Sequence, residues 1–288
     1  MTGPAPAAVT AAVTGTSALV RDGAALRFFG VPGGELRAEL EAAGPAALAA
    51  DGRTLALLGR DGGVRVLGGP GVPAECLAPH PGALAVAGDG CTLAVASAGE
   101  PGRLELFRDG AAVARAELGA AGRVRLHGDA TLGCLAVESA AGAGSPVLRA
   151  AYRFDGDALE RFWEGAEDAS VAGPALGGAL FFSGPQGVVR RAPGTPDRSA
   201  PGTPADLLSA TPDARRLLAA RPLEYAGAAA RVLLRLLDAV TLEERARGEA
   251  TIADWSVTRL AATPGAEVLT LRATPGGLLA VEPAARLT

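Results

Sequence analysis

The sequence contains no lysine and no asparagine, so all 27 of its basic residues are arginines. Without lysine the chain cannot form a Schiff base, and without asparagine it has no N-glycosylation site and no asparagine carboxamide to bind a metal. Glutamine occurs once, at Gln186. This skew is typical of a GC-rich bacterial genome, and it excludes several kinds of catalytic chemistry.

Cysteine and histidine are also scarce. The three cysteines form no C-x-x-C pair, and we expect them to be buried free thiols: Cys76, Cys91 and Cys134. His80 lies in a Pro-rich segment that predicts an exposed turn, and we expect His127, at the end of a first strand, to be a turn residue that hydrogen-bonds to Asp129. No serine stands in a G-x-S-x-G pattern. We therefore predict no cofactor and no metal site, and we favour a noncatalytic protein over an enzyme.

The chain also lacks a strong charge and a long apolar segment. The formal net charge is −4 with both signs interspersed, which argues against nucleic acid or a membrane surface as a partner. Residues 1–6 contain no charged segment leading into an apolar one, and no apolar run approaches the ~20 residues that a membrane span needs. We expect a cytoplasmic protein that is a monomer.

Glycine and proline are abundant, with 40 and 21 residues, and they divide the chain into short apolar segments. In residues 46–67 an apolar run, an Asp-Gly pair, a second apolar run and another Asp-Gly pair are followed by the alternating Val64-Arg65-Val66-Leu67. Asp-Gly favours tight hairpins because both residues tolerate positive φ. The segment predicts an antiparallel meander with Val64 and Val66 on one face.

The alternating motif at the end of that segment occurs seven times in the chain. It begins at residues 26, 64, 104, 147, 188, 232 and 278, so successive copies are 38, 40, 43, 41, 44 and 46 residues apart. A period of this size with several short strands in each repeat is typical of propeller blades. The sequence predicts an all-β fold, a seven-bladed β-propeller of four-stranded antiparallel blades in a single domain over 1–288. The predicted blades are 8–43, 44–80, 81–120, 121–166, 167–204, 205–252 and 253–288.

The repeats at 51–56 (DGRTLA), 61–66 (DGGVRV) and 236–243 (LLDAVTLE) resemble those of degenerate bacterial WD-repeat-like propellers. The resemblance extends over the whole chain, and it implies a ring whose loops bind a protein or a peptide. No repeat opens with Gly-His or ends its third strand with Trp-Asp.

Two segments fit the repeat poorly. Residues 192–204 (APGTPDRSAPGTP) place prolines where the fourth strand of the fifth repeat should lie, which predicts a short or missing strand. Residues 228–247 have the composition of a helix, but Val232, Leu234 and Leu236 alternate and the repeat spacing favours a strand. Because 8–13 can supply the first repeat with its own first strand, we also predict a ring that closes without exchanging a strand between the chain ends.

Four residues are candidates for contacting a partner, since the connections between second and third strands open on the face by which WD-like propellers bind. Arg60 and Asp61 lie in the second of these connections, and Glu224 and Tyr225 lie in a long connection predicted at 222–229. A cluster of carboxylates at 155–168 matches no calcium-loop spacing, so we interpret it as a solvated connection.

Three hypotheses for function follow. The first is a noncatalytic scaffold that binds a protein or peptide partner through its loop face. The second is a hydrolase of the lactonase type acting at the central channel of the propeller, and the third is a propeller that senses a small ligand. The absence of a catalytic motif favours the first hypothesis. A fold by itself indicates function only by analogy with other proteins of that fold.

Overall fold

The computed structural model describes residues 8–13, 16–49, 51–142, 145–165, 171–176, 178–211 and 213–288. Within these residues the chain forms 26 β-strands and one 3-10 turn at Ala74–Cys76, with no α-helix. Nor does any helix in this part of the chain have the length and apolarity that crossing a membrane requires. The strands form seven antiparallel sheets, numbered here in chain order, and the all-β prediction is confirmed.

Every sheet is a meander of consecutive strands. Sheet 1 contains β1 (Ala8–Val13), β2 (Ser17–Asp22), β3 (Ala25–Gly30) and β4 (Leu36–Glu41). Sheet 2 contains β5 (Ala46–Leu48), β6 (Leu55–Leu58) and β7 (Val64–Leu67). Sheet 3 contains β8 (Pro81–Val86), β9 (Thr92–Ser97), β10 (Gly99–Arg108) and β11 (Ala111–Ala121). Sheet 4 contains β12 (Arg123–Gly128), β13 (Cys134–Ala140), β14 (Leu148–Phe154) and β15 (Leu159–Gly165).

The remaining sheets follow the same order. Sheet 5 contains β16 (Val171–Leu176), β17 (Ala179–Gly184), β18 (Gly187–Arg191) and β19 (Arg198–Pro201). Sheet 6 contains β20 (Leu207–Ala210), β21 (Arg216–Ala226), β22 (Ala229–Asp238) and β23 (Glu244–Ile252). Sheet 7 contains β24 (Arg259–Ala262), β25 (Glu267–Ala273) and β26 (Leu279–Arg286). The third strand of each sheet contains the alternating motif or begins one residue after the motif starts.

The predicted turns and alternation are confirmed in sheet 2. Gly52 and Gly62 have φ values of 67° and 81°, the left-handed conformation that glycine supplies in such turns. In β7 the side chains of Val64 and Val66 are buried, whereas Arg65 and Leu67 are exposed. The strand is therefore held by one apolar face, as its two-residue period predicts.

The prediction of four strands in every repeat is wrong for sheets 2 and 7, which have three strands each among the described residues. After β7 the chain forms a glycine loop instead of a strand. A Cβ at Gly69 would lie 1.9 Å from the carbonyl oxygen of Gly90, so the loop packs too closely for a side chain. Val72 then forms one isolated bridge with Val64, with both N···O distances 2.7 Å. The prolines on either side of Val72, Pro70, Pro73 and Pro79, cannot donate to a longer ladder.

In sheet 7 the two residues after β26 form hydrogen bonds with two different sheets. The backbone N–H of Arg247, in β23, donates to the carbonyl oxygen of Thr288 at 3.0 Å, and Leu287 donates to Ala266 at 2.9 Å. Thr288 therefore pairs with sheet 6, whereas Leu287 continues the pairing of β26 with the chain before β25. The short fourth strand predicted for the fifth repeat is present as β19, four residues long, and the segment that could have been helical contains strand β22 and the beginning of β23.

The backbone contacts divide the chain into two compact units, and the prediction of a single domain stays a prediction. The first unit is Met1–Glu41, Phe182–Val189 and Arg198–Thr288, and the second is Ala42–Phe181 and Arg190–Asp197. In the first unit, sheets 1 and 7 share one buried apolar cluster and sheets 6 and 7 share another. In the second unit, sheets 2 and 3 share a cluster, as do sheets 3 and 4.

Candidate functional site

Arg60 and Asp61 lie where the sequence predicts them, in the turn between β6 and β7 of the second unit. Asp61 accepts hydrogen bonds from the side chain of Arg65 at 3.2 Å and from the backbone of Gly63 at 3.3 Å. The hydrogen bond from Arg65 is the main reason why the pKa of the Asp61 carboxyl lies below its usual value. Both Arg60 and Asp61 are exposed, so their side chains are accessible to a partner.

Glu224 and Tyr225 do not lie in a long loop, and that part of the prediction is wrong. Both belong to β21, which continues to Ala226 and returns as β22 through a two-residue turn at Gly227. Gly227 has φ 65°, a conformation that suits a tight hairpin. The prediction mistook Pro222 for the start of a loop. Pro222 instead stands at a position where a strand tolerates a missing donor.

The outer part of this hairpin, residues 222–232, carries one apolar and one charged face. Tyr225 is opposite Ala230, which is opposite Ile252 of β23, so these three side chains point to one side of the sheet. Ala230 and Ile252 are 1% exposed and belong to the cluster shared by sheets 6 and 7, whereas Tyr225 is 63% exposed. Leu223, at a bulge in the same strand, is 45% exposed. Two large apolar side chains are thus in water at the end of a well-packed sheet.

The opposite face of the same hairpin is ionic. Arg231 is opposite Glu224 on β21 and forms ion pairs with Glu224 at 3.5 Å and with Glu249 of β23 at 3.1 Å. All three side chains are about half exposed or more, so solvent screens these pairs and each contributes at most about 1 kcal/mol to stability. Their effect is to keep the hairpin soluble and its register fixed, because Arg231 connects three adjacent strands.

The histidines and the acidic cluster form no catalytic arrangement in the described part of the chain. His80 is exposed in a turn with φ 60°, as predicted. His127 lies at the end of strand β12, as predicted, but it is half-buried and belongs to the strand and not to the turn, and Asp129 accepts hydrogen bonds from Thr131. Burial lowers the pKa of His127, and the nearby Arg125 guanidinium adds to this while the Glu138 carboxylate opposes it.

The carboxylates of the acidic cluster are used locally. Asp155 accepts the backbone N–H groups of Asp157 and Ala158 and closes the turn between β14 and β15. Glu160 and Glu164, on β15, form ion pairs with Arg153 and Arg161. Glu167 and Asp168 lie outside the described residues. Among the residues that the structure describes, no three His, Cys, Asp or Glu side chains are arranged to hold a metal ion.

The three cysteines are free and differ in exposure. Only Cys134 is buried as predicted; Cys91 is intermediate and Cys76 is exposed, so the prediction is wrong for Cys76. Burial raises the pKa of Cys134 to about 11, and its thiol donates to the carbonyl oxygen of Gly178 at 3.2 Å. Such a thiol is a packed, unreactive side chain at neutral pH.

Sequence reasoning missed a small cavity of about 210 Å³ in the second unit, lined by Trp163, Arg191 and Asp197 among others. The Arg191 guanidinium lies 3.9 Å from the centre of the Trp163 ring, and its Nε donates to Asp197 at 2.9 Å. The cation is therefore neutralised and stacked within the protein, which favours a structural role. Nothing in the spacing of these residues, which lie on β15, β18 and the following loop, predicts their proximity.

Sequence reasoning also missed Arg221 and Leu223, the neighbours of the predicted contact residues. Residues 221–226 (RPLEYA), which precede a glycine, could have predicted the second half of a hairpin strand. That prediction requires Pro222 to lie at the edge of a sheet, where a strand tolerates proline. No model of a known protein family matches the sequence, and no curated protein matches it either.

Proposed function

We propose that the seven sheets are the blades of one β-propeller and that the protein is a noncatalytic scaffold that binds a protein or peptide partner. The ring is supported by the meander order within every sheet and by the buried clusters that consecutive sheets share inside each unit. The cluster shared by sheets 1 and 7 adds to this, since the first and last blades of a ring are neighbours.

One observation carries the scaffold function: Tyr225, in the outer part of the β21–β22 hairpin, is 63% exposed, and Leu223 in the same strand is 45% exposed. Exposed apolar side chains occur singly on most surfaces, but a tyrosine and a leucine exposed in one short strand segment, bordered by charged groups, have the composition of a binding contact. Tyrosine is also among the residues that contribute most of the binding energy at interfaces. The protein acts in the cytoplasm as a monomer, with three free thiols as expected in a reducing compartment.

The test is affinity capture of the full chain from the source cells at native abundance. The wild type is compared with Tyr225→Ala and with the control Val240→Ser, which removes an equally exposed apolar side chain at the other end of β22. We expect one stoichiometric partner with the wild type and the control, and its loss with Tyr225→Ala. The absence of any stoichiometric partner, or its equal loss from both variants, would contradict the proposal.

A further inference from the structure

The second half of β21 has an uncovered edge. β20 pairs with Leu217–Ala220 of β21, and the last hydrogen bond on that side runs from the Asp206 N–H to the Ala220 carbonyl oxygen at 2.9 Å. From Arg221 to Ala226, β21 pairs with β22 alone among the described residues. Five of these six residues are exposed and Pro222 is half-buried. At about 3.3 Å per residue the open edge is roughly 20 Å long, the length of an ordinary strand.

The direction of the backbone groups along this edge follows from the register. Arg216 and Ala220 accept hydrogen bonds on the β20 side, so alternate residues of β21 point that way and Pro222 is the next of them. Pro222 has no N–H to offer. The bulge between Pro222 and Glu224 changes the alternation by one residue, so that beyond it Glu224 and Ala226 point towards β22 and Tyr225 points outwards. The N–H and C=O of Tyr225 therefore face solvent at the open edge.

Charge distinguishes the possible occupants of the edge. Arg221 is exposed, and within the described part of the chain no carboxylate forms an ion pair with it. Glu224, the carboxylate of the same segment, is already paired with Arg231. A second copy of the edge would therefore bring no unpaired carboxylate to Arg221. A different chain carrying an acidic side chain would complement it.

We propose that the edge at residues 221–226 binds an extended segment of a partner protein as an added strand of sheet 6. The segment places an apolar side chain beside Tyr225 and an acidic side chain beside Arg221. Backbone hydrogen bonds to Tyr225 and the contact with its ring give the affinity, and the two side chains give the selectivity, as in other strand additions. This inference rests on the proposed scaffold function and specifies how that function recognises its partner.

The test uses a phage-displayed library of linear nine-residue peptides selected against the full chain. We expect enriched peptides to carry an acidic residue and alternating apolar residues. Binding should weaken by about tenfold or more in Tyr225→Pro, which removes the outward N–H at an edge where proline is tolerated. Tyr225→Phe and Val240→Ser should bind as the wild type does. With Arg221→Glu, the acidic peptides should lose binding and peptides bearing arginine should be selected instead.

A second measurement separates strand addition from side-chain contact. In amide hydrogen exchange followed by NMR, the Tyr225 amide should exchange fast in the free protein and become protected when the peptide binds. The amides of Glu224 and Ala226 point towards β22 and should be protected in both states. Because the comparison is made within the folded wild type, it does not depend on whether a variant folds.

The other outcomes each overturn a defined part of the inference. Peptides that need the Tyr225 ring but leave its amide unprotected would refute strand addition and leave the scaffold function standing. If the library yields no binders but affinity capture yields a stoichiometric partner, strand addition is refuted and the scaffold function stands. If neither experiment yields a partner, both strand addition and the scaffold function are refuted. If the protein self-associates and Tyr225→Pro abolishes the self-association, the edge binds a second copy of this chain, and the proposal of an acidic partner segment is wrong.

Discussion

Aspartate side chains close many of the turns in this protein, which explains why Asp-Gly and related pairs recur along the sequence. Asp51 accepts the backbone N–H groups of Arg53 and Thr54, and Asp89 accepts those of Cys91 and Thr92 in the same way. A short carboxylate that satisfies N–H groups two and three residues ahead stabilises the turn between two strands. These carboxylates are therefore structural, and their number does not indicate catalysis.

Asp238 shows most clearly how the hydrogen bonds of a turn lower the pKa of an aspartate and stabilise the fold. Its carboxylate accepts the backbone N–H groups of Thr241 and Val240, both at 2.9 Å, and pairs with Arg245 at 3.1 Å. The hydrogen bond from Thr241 is the largest cause, and together these contacts lower the pKa of Asp238 to about 2. Because the folded-state pKa is below the ordinary value, the stabilisation is complete above about pH 4 and is lost as pH falls towards 2.

We predict that Asp238→Asn lowers the free energy of unfolding by on the order of 1 kcal/mol at pH 5, after allowance for solvent screening. The amide oxygen can still accept the turn N–H groups but does not carry the charge. Urea unfolding of wild type and variant at pH 5 and pH 3 measures the difference, which should be smaller at pH 3. A difference that is the same at both pH values would contradict the role of the charge.

The same four-strand pattern produces sheets of different extent. β9 is buried along its whole length, whereas the second half of β21 continues past β20 and is mostly exposed. Sheet 2 ends in a glycine loop where a fourth strand was predicted. Turn chemistry and alternation predict where strands begin, because both depend on adjacent residues. Where a strand ends depends on whether a neighbouring strand pairs with it. β20 pairs with only the first part of β21, and among the described residues no fourth strand lies beside β7, so these ends differ from those in the other sheets.

Sheet 4 contains a buried ion pair that sequence pattern does not reveal. Glu138 on β13 and Arg149 on β14 are directly opposite, with Arg149 Nε 2.9 Å from Glu138 Oε1 and both side chains less than 10% exposed. Arg125, opposite Glu138 on the other side, contributes a longer contact of 3.7 Å from the surface. The alternation of β13 predicts which side Glu138 faces, but its burial depends on the packing of whole sheets.

We predict that Arg149→Met destabilises the protein by about 3–5 kcal/mol, because it leaves the Glu138 carboxylate buried without its main partner. The double variant Glu138→Leu, Arg149→Met should recover most of that loss, since no buried charge remains. Urea unfolding of the wild type, the two single variants and the double variant measures the coupling. A double variant as unstable as Arg149→Met would show that the arginine is needed for contacts other than this pair.

At the scale of the whole molecule, the proposed ring requires the two compact units to unfold together. Phe29 is 1% exposed in the cluster shared by sheets 1 and 7, and Phe107 is fully buried in the cluster shared by sheets 2 and 3. The two residues belong to different units. They therefore report separately on the stability of each unit.

We predict that Phe29→Ala and Phe107→Ala each lower the free energy of unfolding by about 3–5 kcal/mol and shift the same single transition. Calorimetry and urea unfolding followed by circular dichroism measure the number of transitions. Leu278→Ser, at an exposed position, serves as the control and should leave the transition unchanged. Two transitions, each shifted by only one of the phenylalanine substitutions, would contradict the single domain.

The sequence by itself determined the strand class, the seven repeats and the position of the alternating strand in each, because a two-residue period and Asp-Gly turns are local properties. It also placed Arg60 and Asp61 in their turn. The tertiary structure decided that sheets 2 and 7 have three strands, that Glu138 and Arg149 are buried, and that Tyr225 lies on an open strand edge. These features depend on which segments pack or pair across long stretches of chain, and a sequence read from neighbour to neighbour does not contain that information.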